Sequence, residues 1–145
     1  MSATASDAWE SMYRAQVSIM RDLRNAFTNV GMTMNEYDVM FIVYKSSQHR
    51  IRMRELNANV LITQSSVSRL VDRLVERGFL SKHNDEMDAR GTIVALTDTG
   101  IAAFERAHRV HEQNIEFRMQ SKLSEAELQT LTDLSNRLVS EDARW

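Results

Sequence analysis

The stretch Thr63-Gln64-Ser65-Ser66-Val67-Ser68-Arg69-Leu70-Val71-Asp72-Arg73-Leu74-Val75-Glu76-Arg77-Gly78 decides the fold. Val67, Leu70, Val71 and Leu74 recur three and four apart, which puts them on one stripe of a helix. The other face carries Gln64, Ser65, Ser66, Ser68, Arg69, Asp72 and Arg73. Thr63 stands where an N-cap belongs, and Gly78 fits the left-handed position that ends a helix. Such a helix docks by one face and presents short hydrogen-bonding side chains at its N-terminal end, followed by arginines. Reading base edges in a major groove needs this arrangement. Serines let the backbone approach the groove floor, and guanidinium groups pair with guanine or phosphate. Free N–H groups and the dipole at the helix N-terminus also favour phosphate. An ordinary amphipathic surface helix has the same pattern, so the flanking sequence has to decide.

Upstream, Met53 to Asn59 reads as a short helix and Leu61-Ile62 as a turn, which makes a helix-turn-helix. Downstream, Phe79-Leu80-Ser81-Lys82-His83 and Thr92-Ile93-Val94-Ala95-Leu96 read as two short strands. The polar stretch Asn84 to Gly91 between them suits an exposed hairpin tip. Further out the pattern is helical. A first helix is expected from Asp7 to Asn29, with Trp9, Met12, Tyr13, Ile19, Met20, Leu23 and Phe27 as its apolar stripe and Gly31 at or beyond its end. Thr33-Met34-Asn35-Glu36 has the capping-box form and opens a second helix to Lys45, with Tyr37, Met40, Phe41 and Tyr44 inward. A long helix follows Thr97 to Lys122, and Ser124-Glu125-Ala126-Glu127 opens a last one, expected to bury Leu128, Leu131, Leu134, Leu138 and Val139. With no proline and four glycines among 145 residues, the chain reads as mainly α with a small β-hairpin wing.

Charge marks the same region. From Arg50 to Lys82 seven basic residues face three acids, a net +4, which leaves −6 for the rest of a chain whose net charge is −2. A basic segment in an acidic chain is an electrostatic footprint for nucleic acid. With 43% hydrophobic and 26% charged residues the composition is that of a globular protein. The absence of cysteine excludes disulfides, thiolate metal sites and a cysteine switch. The first residues do not have the form of a secretory signal, and the longest apolar run, Val39 to Tyr44, is far short of the roughly 20 residues that cross a bilayer. A cytoplasmic protein without a membrane partner is expected.

Asp88-x-Arg90-x-x-x-Val94-x-Leu96-Thr97-x-x-Gly100 resembles the wing signature of the MarR family of bacterial winged-helix regulators. Met53-Arg54-Glu55-Leu56, the run from Thr63 to Val71 and the exit Arg77-Gly78-Phe79-Leu80 resemble the same family's reading head. The resemblance implies a single domain over 1–145, with a winged helix-turn-helix head at 33–98 and dimerisation helices at 1–30 and 99–145. It further implies a homodimer on a palindromic operator in double-stranded DNA, no cofactor, and a repressor that releases DNA when a small aromatic or phenolic ligand binds. The implied DNA-binding residues are Thr63, Gln64, Ser65, Ser66, Ser68, Arg69, Arg73, Asp88 and Arg90, with Arg90 entering a minor groove and Asp88 steadying the wing. Asp88 and Arg90 could instead be a local ion pair that shapes the turn. Two departures stand out. Asn57 replaces the family's usual small alanine, and Asp85-Glu86-Met87 puts two further acids at the wing tip, where they would repel phosphate.

An enzyme is not expected. His111-Glu112-Gln113-Asn114-Ile115 begins like a zinc-protease motif but has Ile115 where the second histidine is required, and there is no glycine-rich phosphate loop or nucleophile elbow. The alternative is a metal-responsive DNA-binding regulator. Glu105, His108 and Glu112 fall on one helix face with His111 beside them, candidate ligands set against a plain solvated face balanced by Arg106 and Arg109. For the effector implied by the family, Arg14 is a candidate carboxylate partner, with Trp9, Met12, Tyr13 and Tyr37 as walls; taken singly, each of these four suits a plain core better.

Overall fold

The computed structural model describes residues 1–60 and 64–139, without the side chains of 64 and 65. Among the described residues, six α-helices and three strands run in the order α1 (Ala5–Ala26), α2 (Met34–Lys45), β1 (Arg50–Arg52), α3 (Met53–Asn59), α4 (Gln64–Glu76), β2 (Leu80–Asp85), β3 (Asp88–Leu96), α5 (Asp98–Gln120) and α6 (Glu125–Leu138). A 3-10 turn, Phe27–Asn29, replaces the last turn expected of the first helix. Both expected capping boxes are formed, Thr33 with Glu36 and Ser124 with Glu127, and Thr4 with Asp7 adds a third at the start of α1.

α2 is the central helix: Val39, Met40 and Val43 are inaccessible to solvent. Around it pack Leu23 and Phe27 of the first segment, Leu56 of α3, Val67, Val71 and Leu74 of α4, Val94 of β3, and Ala103, Phe104 and Ala107 of α5. The stripe of α4 thus docks as its periodicity predicts. Gly78 follows with φ +78°, and the N–H groups of Gly78 and Phe79 bond back to the carbonyls of Val75 and Leu74, closing the helix end.

The sheet is antiparallel, in the order β1-β3-β2. Its third strand, β1, was not expected. It pairs Ile51 with Val94, and the chain enters it through Gln48 and His49, both left-handed although neither is glycine. His49 is held there by a hydrogen bond from its Nδ1 to the Tyr44 carbonyl (2.7 Å) and by stacking on the Tyr44 ring. The hairpin is also longer than expected: only Glu86 and Met87 separate β2 from β3. Thr97 and Gly100 join this sheet to α5. Thr97 Oγ1 donates to the Gly78 carbonyl (2.5 Å) and accepts from the Gly100 N–H (3.0 Å). A Cβ on Gly100 would lie 2.0 Å from the Phe79 carbonyl oxygen, so the close approach requires glycine.

The terminal helices correct one expectation. α6 has no buried residue; Leu128 is half-buried, and Leu131, Leu134, Leu138 and Val139 are exposed. On α1, Trp9, Met12 and Tyr13 are exposed as well, as is Phe117 on α5. The stripes exist, but the described residues of the single chain leave them exposed.

Candidate nucleic-acid interface

Docking the apolar stripe of α4 on the core turns its opposite face outward. Ser68, Arg69, Asp72 and Arg73 are exposed and Ser66 is half-buried. Thr63 lies outside the described residues, and so do the side chains of Gln64 and Ser65. Asp72 bonds to Lys82 Nζ of β2 (2.7 Å), which ties the outer face of α4 to the wing and neutralises the acid. Among the described residues neither Arg69 nor Arg73 has a carboxylate partner.

Other cations of the basic segment are structural. Arg77 pairs with Glu36 of α2 (2.8 Å) and donates to the Gly31 carbonyl, and its guanidinium lies over the Phe79 ring. Glu36 is only 4% exposed, and it also accepts from the Thr33 N–H in the α2 capping box. A buried carboxylate satisfied from two sides anchors the C-terminal end of α4 to the central helix. Arg52, Arg77 and Lys82 are thus committed to partners, while Arg50, Arg54, Arg69 and Arg73 stay exposed.

At the wing, the Asp88 carboxylate accepts from the backbone N–H of Arg90 (3.0 Å). It shapes the turn through the backbone, and among the described residues the Arg90 guanidinium makes no ion pair. Asp85 differs from its reading as a phosphate-repelling acid. It is 7% exposed, accepts from the Met87 N–H (2.9 Å) and lies 2.9 Å from Arg52 Nε, an ion pair without the alignment of a good hydrogen bond. Of the two extra acids at the tip, only Glu86 faces solvent. Sequence reading missed Arg52 as the wing's anchor, since its β1 strand is three residues long. Asn57, the departure in α3, is half-buried, and among the described residues its side-chain oxygen has no hydrogen-bond partner.

The residues proposed for an effector are divided. Trp9 and Tyr13 stack on the exposed half of α1, and Arg14 is paired with Glu10 (2.7 Å). Tyr37 is buried instead, stacked between Phe104 and His111. Of the four metal candidates, His108, His111 and Glu112 converge, whereas Glu105 accepts from the Tyr44 hydroxyl (3.2 Å). Burial pushes the His111 imidazole pKa down, with the Glu112 carboxylate opposing, and burial raises that of the Tyr37 phenol.

Residues 30–91 match the profile of the MarR family. The chain is 32% identical over 99 residues to the HTH-type transcriptional regulator BilQ of Clostridium symbiosum, covering 68% of this chain and 67% of that one. Its fold is similar to that of Sco3205, a MarR family transcriptional regulator from Streptomyces coelicolor solved in complex with DNA, with TM-score 0.84 and 24% identity over 95% of this chain and 89% of that one. It is also similar to the organohalide-sensing regulator RdhR-CbdbA1625 in its 2,4-dichlorophenol-bound form, with TM-score 0.77 and 16% identity over 90% and 76% of the two chains. At these identities the two structures speak to the fold.

Proposed function

The chain belongs to the MarR family, and from that premise we propose that it is a sequence-specific, DNA-binding transcription regulator that works as a homodimer on a palindromic operator. One observation carries the reading: among the described residues the outward face of α4 presents Arg69 and Arg73 without carboxylate partners, beside a hairpin that presents Arg90 in the same way. The two readers divide the work. α4 enters the major groove, where Ser66, Ser68, Arg69 and Arg73, with Thr63, Gln64 and Ser65 before them, meet base edges and phosphates. Arg90 enters the flanking minor groove, whose potential is most negative where it is narrow and A·T-rich. Asp88 keeps the turn that aims it.

The head is 33–98, and the segments 1–30 and 99–145 form the dimer interface. The uncovered apolar residues of α1, α5 and α6 support that division. Two heads on a two-fold axis then read half-sites about 10–10.5 base pairs apart, centre to centre. The protein acts as a repressor that a small aromatic or phenolic ligand releases, as the dichlorophenol-bound relative suggests. Its place is the cytoplasm; among the described residues no helix is long and apolar enough to cross a membrane. A genomic-fragment binding selection, followed by a screen for compounds that release the selected DNA, tests the reading. It expects an inverted repeat among the selected fragments; enrichment of no sequence would contradict it.

A further inference from the structure

We propose that His108, His111 and Glu112 of α5 form a zinc-binding site, closed on the protein side by Tyr37 of α2. One ligand atom from each of the three lies within 4.8 Å of the other two. The spacing of 108, 111 and 112 keeps them together on adjoining turns of a continuous helix. His108 and His111 are half-buried and Glu112 is exposed, so the set has a dry floor and an open mouth.

The rings are held from behind. Tyr37 Oη and His108 Nδ1 are 2.8 Å apart, the kind of hydrogen bond that fixes the orientation of a metal-binding imidazole. The Tyr37 ring stacks on His111 at 4.8 Å between centroids and is backed by Phe104 at 5.4 Å. His111 Nδ1 is buried with no hydrogen bond among the described residues; its nearest acid, Glu112 Oε1, is 3.5 Å away. A buried nitrogen without a partner is uncommon. Here it faces the carboxylate that would be its fellow ligand.

Two imidazoles and a carboxylate suit zinc, and three protein ligands leave a fourth position for water. Ligands about 2.0–2.1 Å from a tetrahedral ion are roughly 3.3 Å from one another. The set must therefore contract by up to about 1.5 Å at its widest, a change on the scale of a side-chain torsion adjustment in the three ligands. Glu105 is outside the set, bonded to Tyr44. This site goes beyond the DNA-binding reading, and metal binding can succeed or fail whatever the protein does with DNA.

The test is competition between the full chain and a chromophoric zinc chelator, with zinc alone as the probe. The expected result is one zinc per chain, weakened at least tenfold in His108→Ala and His111→Ala. The other two histidines of the chain serve as controls, and His49→Ala and His83→Ala should bind as the unmodified protein does. Glu112→Gln, at an exposed position, keeps the fold and should also weaken zinc about tenfold. Failure to compete for zinc would overturn the proposal. So would a loss that follows His49 or His83, or one confined to variants whose thermal unfolding has collapsed while Glu112→Gln binds normally.

Discussion

α4 and α6 are helices of nearly equal length, 13 and 14 residues, each with an apolar stripe at helical spacing. Their fates are opposite. Val67, Val71 and Leu74 of α4 are inaccessible, whereas Leu131 and Leu134 of α6 are exposed and Leu138 is 72% exposed. An amphipathic pattern says that a face will be covered; it does not say by what. The stripe of α4 meets Leu56, Val94 and the α2 core of its own chain. On our reading the stripe of α6 meets a second copy, which is why α6 looks unfinished alone.

The contrast breaks most visibly at α6. Leu131→Asp with Leu134→Asp should abolish the dimer by light scattering. Operator affinity should then fall roughly 10²–10⁴-fold, because the second head no longer binds as part of the same molecule. A doubly charged variant that remains a tight dimer would show that the stripe has another purpose.

Two leucine truncations sharpen the comparison. Leu74→Ala removes a fully buried side chain and should cost about 2–5 kcal/mol in denaturant unfolding. Its cost should not depend on protein concentration. Leu138→Ala should cost less, and its effect should depend on concentration, since the contact it loses lies between copies. If both behave alike, the division between head and dimerisation helices is wrong.

Within the head, the outer face of α4 and the hairpin can be separated in turn. Arg69→Ala should cost roughly 1–3 kcal/mol at the base it reads and relax specificity there. Arg90→Ala should weaken binding chiefly on operators with A·T-rich flanks, with a smaller effect when the flanks are G·C-rich. Operator variants altered at the centre or at the flanks, titrated against both mutants, check this. Equal binding of every variant by Arg90→Ala would leave the hairpin with a structural role only.

Much of this was legible because local signals agreed. The stripe of α4, Gly78 at its end and the capping boxes of α2 and α6 each follow from spacing within a few residues. What was not legible depends on distant contacts. β1 carries a single inward residue, Ile51, and its entry uses left-handed Gln48 and His49, which no glycine announces. Asp85 looked like a surface acid until the sheet brought Arg52 beside it. In the candidate sites the same rule holds. The helix face of Glu105, His108, His111 and Glu112 could be read from the sequence, but Tyr44 draws Glu105 away and Tyr37 backs the histidines from 71 residues earlier than His108.

The central claim is that the exposed arginines of α4 and the wing serve DNA, and one titration tests it most directly. Fluorescence anisotropy of a selected operator duplex should be followed from 50 to 200 mM salt. A dimer making on the order of 6–10 phosphate contacts should lose roughly 10³–10⁵ in affinity across that range. Failure to bind any duplex at the low-salt end, by a protein that is folded and dimeric, would contradict the account.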